Sequence, residues 1–177
     1  MSTFPNWQEY VVAQRRPNSG CIPTGYEMLL RAANVKGIDF STVQEDFDFD
    51  KNLQNNDFPK NNFELVANAI NERYSHVHFR VDVFSKGAGL DKLHFVENSI
   101  NHQQLVLISL NMQPVLKQPG WHIMPVVDMD KESLLLVYSA QKINEIMFVQ
   151  LIKLPKAEFV RVHEQFDGGN DVAYLEE

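Results

Sequence analysis

The sequence is poor in cysteine and has no long apolar run, and each shortage excludes a class of protein. Cys21 is the only cysteine among 177 residues, so the chain cannot form an internal disulfide and does not require an oxidising compartment. The start of the chain lacks the basic residues and the apolar run of a secretory signal. No stretch approaches the roughly 20 apolar residues that span a bilayer. We therefore expect a soluble, cytoplasmic protein that does not insert into membranes, and export by a route that needs no signal stays open.

Basic residues are scarce as well. Lysine and arginine number 16 against 23 acidic residues, which gives a net charge of −7. Surfaces that bind nucleic acids carry clustered positive charge, so this composition argues against a nucleic-acid partner. Hydrophobic residues at 44% and charged residues at 22% are typical of a globular protein. The length suits one hydrophobic core, and we expect residues 1–177 to form a single domain.

The spacing of apolar residues changes from helical to strand-like along the chain. Helical spacing predicts helices over 22–35, 62–74, 90–101 and 155–165, and alternating or continuous apolar runs predict strands over 76–84, 105–110, 121–129, 134–140 and 146–154. Ser41 followed by Gln44 has the form of a capping box, which predicts a further short helix. Helices come first and an antiparallel sheet second. This segregation predicts an α+β fold.

The single cysteine follows a loop that ends in Gly20, and it stands at the start of the first long helix that the sequence predicts. Backbone N–H groups at a helix start lack partners within the helix, and the helix dipole there favours negative charge. Such a setting lowers the pKa of a thiol, and the thiolate is the nucleophilic form of cysteine. We therefore expect Cys21 to be an activated nucleophile. The alternative is that it is a small buried hydrophobe.

A cysteine nucleophile needs a base, and His122 is the histidine best placed to be one, because it begins a predicted strand. A register symmetric about the turn after this strand places His122 opposite Ser139. Gln141 is then a diagonal neighbour on the same face, within side-chain reach. A slip of one residue replaces Ser139 by Tyr138 or Ala140. The hairpin therefore predicts Ser139 or Gln141 as the partner of the imidazole.

Two stretches carry a recognisable pattern. Residues 18–30 read Asn-Ser-Gly-Cys-Ile-Pro-Thr-Gly-Tyr-Glu-Met-Leu-Leu, and residues 120–130 read Gly-Trp-His-Ile-Met-Pro-Val-Val-Asp-Met-Asp, followed by Leu-Leu-Leu-Val-Tyr-Ser at 134–139. The first resembles the nucleophile helix of papain-like cysteine peptidases, and the second resembles their histidine strand, turn and next strand. The closest likeness is to the double-glycine-leader (bacteriocin-processing) peptidases and their stand-alone relatives. The resemblance implies a papain-like fold, with N-terminal helices that carry Cys21 packed on a C-terminal antiparallel sheet that carries His122.

The resemblance also implies a role for each matching residue. Cys21 would be the nucleophile, and His122 would be the general base and acid. Gln14 would donate a hydrogen bond to the oxyanion, together with the backbone N–H of Cys21. Such donors matter because negative charge develops on the carbonyl oxygen in the transition state.

Three positions depart from the pattern of that group. Ile22 stands in place of the usual glycine, Gln14 lies one residue further upstream, and Ser139 occupies the place of an Asp or Asn. A neutral hydroxyl can orient an imidazole, but it stabilises the imidazolium less than a carboxylate does. We therefore expect a slower catalyst, Gln141 as a substitute for Ser139, or no catalysis.

The sequence thus predicts a papain-like thiol hydrolase, in the first place a cysteine peptidase, that uses a Cys–His dyad or triad. Two alternatives stay open: an acyl- or peptidyl-transferase with the same dyad, and a catalytically weak binding module on the same scaffold. The partner is a peptide or another acyl substrate, and no cofactor is required. No metal site is expected, because the acidic stretch 46–57 lacks the glycine and final glutamate of a calcium loop, and His76 and His78 lack a third ligand.

Overall fold

The computed structural model describes residues 6–15, 20–48, 62–117, 120–139, 149–167 and 171–176. In chain order, the elements are α1 (Trp7–Tyr10), α2 (Cys21–Ala32), α3 (Val43–Asp46), α4 (Asn62–Arg73), β1 (Phe79–Val83), α5 (Gly89–Asn101), β2 (Val106–Asn111), α6 (Gln113–Leu116), β3 (Trp121–Met129), β4 (Ser133–Ser139), β5 (Val149–Pro155), α7 (Lys156–Gln165) and β6 (Asp171–Leu175). Within these ranges, no helix combines the length and the apolar character that crossing a membrane requires.

The strands form one antiparallel sheet in the order β1-β6-β2-β3-β4-β5. Every residue of β2 is buried, as its continuous apolar run predicts for a central strand. The ladder between β2 and β3 places Leu110 opposite His122 and Ser109 opposite Ile123. The strand that carries His122 is therefore held along its length by the centre of the sheet.

The sheet separates two hydrophobic clusters. Successive residues of a strand point to opposite faces, so Leu107 packs in the cluster that includes α2 and α4, whereas Val106 and Ile108 pack in the cluster that includes α5 and α7. Helices consequently cover both faces, and α2 contacts the sheet at β2 and β3. This packing fixes α2 over the strand that carries His122.

The combination of helices with an antiparallel sheet is confirmed, but the order along the chain differs from the expectation. Strand β1 lies between α4 and α5, and α7 separates β5 from β6, so helices and strands are not segregated. The spacing of apolar residues predicts no strand at β6, although β6 lies between β1 and β2 in the sheet. The first three residues of β6 are all buried, so the strand shows no alternation of period two, and its place in the sheet comes from its neighbours.

Ser41 and Gln44 do not form a capping box. The hydroxyl and the N–H of Ser41 bind the carboxylate of Asp39, and α3 begins with Thr42 as its N-cap. The side chain of Gln44 is only 4% exposed and lies within hydrogen-bond distance of Thr24 in α2. Gln44 therefore belongs to a buried polar contact between α3 and α2.

The register between β3 and β4 also differs from the expectation. A symmetric turn pairs Val126 with Leu135, whereas the structure pairs Val126 with Leu136 and Asp128 with Leu135, with a β-bulge between Val126 and Asp128. A bulge places one extra residue on one strand and so shifts every partner beyond it. The symmetric register is therefore wrong.

Candidate active site

Cys21 is the first residue of α2, and Gly20 is its N-cap. Pro23 follows in the first turn, where a missing N–H leaves no donor to satisfy. The hydroxyl of Thr24 lies 2.6 Å from the carbonyl oxygen of Gly20 and ties the first turn together. The backbone N–H groups of Cys21 and Ile22 have no carbonyl partner within the helix, because they belong to its first turn.

Two opposing effects act on the thiol. Burial raises the pKa of Cys21 and is the larger effect; hydrogen bonds from the backbone N–H groups of Ile123, Cys21 and Ile22 to the sulfur act in the lowering direction. The net pKa is raised above the ordinary value of a thiol. The expectation of a lowered pKa is therefore wrong. The helix start acts as expected, but apolar surroundings penalise the thiolate more strongly.

A close approach of α2 to the sheet brings the thiol to Ile123. Gly25 lies one turn after Cys21, and a Cβ atom at this glycine would stand 2.9 Å from Leu107 Cδ1 and 3.1 Å from Ile123 Cγ2. Both distances are shorter than an ordinary carbon–carbon contact of about 3.5–4.0 Å. The absence of a side chain at Gly25 thus allows the start of α2 to lie against β3.

His122 precedes Ile123 in β3, so it is adjacent in sequence to the residue whose N–H binds the thiol. The imidazole packs on the ring of Tyr138 in β4, with the ring centroids 4.3 Å apart and the planes inclined by 32°. Burial raises the pKa of Tyr138, and the charge of Cys21 raises it further. Tyr138 is therefore a neighbour of both candidate groups, the imidazole and the sulfur.

The contact with Tyr138 reflects the bulged register of β4. With Val126 opposite Leu136, the even-numbered residues of β4 share the strand face of His122, and Tyr138 on that face is its diagonal neighbour, in contact with the imidazole. Ser139 ends β4, where its backbone pairs with Val149, and Gln141 lies outside the described residues. The roles assigned to Ser139 and Gln141 stay predictions. The sequence offered Tyr138 only as the outcome of a slip, since no local signal marks the bulge.

Gln14 lies in the segment between α1 and α2, and its side chain is only 5% exposed. Its two neighbours are bound by the amide of Gln44: Nε2 donates to the carbonyl of Ala13 at 3.0 Å, and the N–H of Arg15 donates to Oε1 at 2.8 Å. Because Gln44 also binds α2, the Gln14 segment is tied to the helix that begins at Cys21. The oxyanion role of Gln14 stays a prediction.

The described residues include no group of three or more histidine, cysteine, aspartate or glutamate side chains that could hold a metal ion. Two cavities lined by described residues lie away from the thiol. One of about 210 Å³ lies beside the β3–β4 turn, and one of about 360 Å³ lies between the end of α2 and the end of β6. Neither is lined by Cys21 or His122.

Comparison with known proteins gives a match in structure and none in sequence. No protein-family model and no curated protein matches the chain. Among solved structures, the crystal structure of a putative C39-like peptidase from Bacillus anthracis is similar, with a TM-score of 0.57 over 100% of this chain and 98% of that chain, at 14% sequence identity. A likeness at this identity shows a shared fold. The resemblance to papain-like peptidases is thus supported at the level of the fold, and the bacteriocin-processing group stays a prediction.

Proposed function

We propose that the protein is a papain-like thiol hydrolase that cleaves an amide bond, with Cys21 as nucleophile and His122 as general base and acid. The observation that carries the proposal is that the backbone N–H of Ile123 lies close enough to the sulfur of Cys21 to lower the pKa of the thiol, against the larger effect of burial. This contact joins the start of α2 to the strand residue next to His122. The fold shared with a C39-like peptidase supports the same assignment.

The residues support a two-step acyl transfer. The sulfur of Cys21 attacks the carbonyl carbon while its proton passes to His122, and the carbonyl oxygen becomes an oxyanion that Gln14 and the N–H of Cys21 stabilise. The C–N bond then breaks, and the leaving amine takes the proton from the imidazole. Water, deprotonated by His122, attacks the thioester, releases the carboxylic acid and restores the thiol.

The raised pKa of Cys21 sets the order of proton transfer. A thiol whose pKa lies above its ordinary value is neutral near pH 7, so little thiolate is present before substrate binds. The proton must therefore leave as the sulfur attacks, which makes His122 a general base in the acylation step. Tyr138 packs against the imidazole and restricts the ring orientations from which it can accept that proton.

Acylation by an activated ester tests this function. Wild-type protein mixed with p-nitrophenyl acetate should release one burst of nitrophenolate per molecule and gain one acetyl group on Cys21, as read by peptide mass spectrometry. Cys21→Ala should give no burst, and His122→Asn should acylate about 10²–10⁴-fold more slowly, which is the usual contribution of general-base catalysis. Equal acylation of wild type and Cys21→Ala would refute the assignment.

A second candidate is the catalytically weak binding module, and the raised pKa of Cys21 is the observation that favours it. The rate of acylation at neutral pH, compared with the rate of alkylation by iodoacetamide measured against pH, separates the two candidates. Both give a direct alkylation rate that rises with pH through the raised pKa, because the thiolate is the reactive form. Only a hydrolase also acylates rapidly at neutral pH, where His122 assists the attack. A wild-type protein that alkylates at high pH but never acylates would be the binding module.

A further inference from the structure

Gln44 occupies a buried polar site that the proposed reaction does not use directly. Its side-chain amide uses both ends. The oxygen accepts from the N–H of Arg15 at 2.8 Å and lies 2.9 Å from the hydroxyl of Thr24. The nitrogen donates to the carbonyl of Ala13 at 3.0 Å and to the carboxylate of Glu27 at 2.8 Å. A primary amide has two donors and one acceptor oxygen, and here both ends have partners.

The contacts of Gln44 fall into two pairs. One pair, Ala13 and Arg15, is backbone that flanks Gln14 on either side, so the amide binds this segment much as a neighbouring β-strand would. The other pair, Thr24 and Glu27, belongs to α2, the helix that begins at Cys21. Gln44 therefore bridges the backbone on both sides of Gln14 to the helix that carries the thiol.

Glu27 is the anchor of this bridge on α2. Its side chain is fully buried, which is tolerated because both of its oxygens are bound. One oxygen accepts from Gln44, and the other accepts from Nε of Arg31 at 2.8 Å one turn further along the helix. A buried, doubly bound carboxylate has a fixed position, and it fixes Gln44 in turn.

We propose that Gln44, held by Glu27, is a positioning residue that sets Gln14 at the distance from Cys21 that oxyanion stabilisation needs. The inference rests on the proposed function. Gln44 does not touch the substrate; it acts through the backbone of Ala13 and Arg15. Its loss therefore affects the steps that form an oxyanion and leaves the thiol itself in place, because the sulfur is bound by Ile123 and the start of α2.

Two reactions of the same thiol separate this role from a structural one. Acylation by p-nitrophenyl acetate passes through an oxyanion, whereas alkylation by iodoacetamide displaces iodide and forms none. Gln44→Met keeps the length of the side chain and removes its hydrogen bonds. We expect it to acylate about 10–100-fold more slowly than wild type, below the 10²–10³-fold cost of removing a donor outright. Its alkylation rate should stay within about twofold, because the N–H groups that bind the sulfur are unchanged.

Asn71 in α4 provides a matched control. Asn71 clamps backbone in the same manner, since its amide donates to the carbonyl of Phe79 at 3.0 Å and accepts from the N–H of Phe79 at 2.7 Å. Asn71→Leu removes an amide clamp of the same kind at β1, so it should lower the melting temperature without a selective loss of acylation. Equal selective losses in Asn71→Leu and Gln44→Met would show a general effect of stability and overturn the inference.

A double-mutant cycle completes the test. Gln14→Ala should slow acylation by about 10²–10³-fold, and Gln44→Met should add nothing to it, because the group it positions is already absent. Independent, multiplying losses would overturn the inference, as would a Gln44→Met protein that acylates at the wild-type rate. If Gln44→Met does not fold, Gln44→Asn keeps an amide that is one methylene too short to reach both sides, and the same outcomes apply. A wild-type protein that is never acylated overturns the proposed function, and this inference with it.

Discussion

Replacement of Gly25 by alanine opposes a helix preference with a packing clash. Gly25 lies inside α2, where alanine is favoured over glycine by about 0.8–1 kcal/mol. The new Cβ atom, however, would stand 2.9 Å from Leu107 Cδ1 and 3.1 Å from Ile123 Cγ2. Leu107 is fully buried and cannot move into solvent. Relief of the clash therefore requires α2 to move away from the sheet by about half to one ångström, given the ordinary contact distance of about 3.5–4.0 Å.

The packing term should exceed the helix term. Overpacking of a well-packed interior costs about 1–3 kcal/mol, so the free energy of unfolding should fall by about 1 kcal/mol after the gain from alanine is subtracted. For a chain of this size, that change lowers the melting temperature by about 2–4 °C. Urea unfolding followed by circular dichroism measures the free energy directly.

The same movement takes the sulfur of Cys21 away from the N–H of Ile123. A hydrogen bond to a charged group contributes about 1.5–3 kcal/mol, so loss of about half of it would raise the pKa of Cys21 further and lower the fraction of thiolate. Since the thiolate is the reactive form, alkylation by iodoacetamide near pH 7 should slow about 3–10-fold. Peptide mass spectrometry of timed samples gives the rate.

Gly87→Ala is the control for this prediction, because a Cβ atom at Gly87 meets nothing within 4 Å. It should leave the alkylation rate of Cys21 unchanged. A Gly25→Ala protein that gains the full helix preference in stability, and that alkylates at the wild-type rate, would refute the argument that Gly25 brings α2 to β3.

Two further predictions concern Tyr138 and Lys92. Tyr138→Ala removes the ring packed on His122. Since such ring pairs contribute about 0.5–1.5 kcal/mol, acylation of Cys21 in this variant should slow about 2–12-fold in the stopped-flow burst. Tyr138→Phe keeps the ring and should react as wild type does, and an equal loss in both variants would assign the effect to the hydroxyl. Lys92 is fully buried, burial lowers its pKa to about 7, and the charge of Asp171 opposes this shift. The pKa of Lys92 in the folded protein lies below its value of about 10.4 in the unfolded chain, so between these two pKa values the unfolded chain binds more protons than the folded protein. The contribution of Lys92 to the free energy of unfolding therefore rises with pH from about 7, by at most about 1.4 kcal/mol per pH unit. Lys92→Met should remove this slope in urea titrations between pH 7 and pH 9, and an unchanged slope would contradict the assignment.

The elements that the sequence predicts well are those with long, regular burial patterns. The predicted strand 121–129 coincides with β3, and the helix predicted over 90–101 differs from α5 by one residue. In α4, the apolar positions Phe63, Val66 and Ile70 are buried as their helical spacing predicts. Such segments carry their own evidence, because one face must be apolar over many residues.

The features that the sequence did not predict depend on distant parts of the chain. Strand β6 is short and becomes part of the sheet because β1 and β2 accept it on either side. The bulge in β3 is a property of the paired strands and has no signature in either one. Gln44 fits a local capping pattern, but the buried carboxylate of Glu27 and the backbone beside Gln14 provide better partners.

The order of residues is enough to place the reactive groups along the chain. A cysteine after Gly20 at the start of an apolar helix, and a histidine at the start of a strand, follow from local spacing and turn chemistry. The folded structure sets how these groups behave. It reversed the expected direction of the pKa of Cys21, because desolvation depends on what packs around the sulfur. It also placed Tyr138 against His122, because a single extra residue in β3 changes which side chains of β4 face the imidazole.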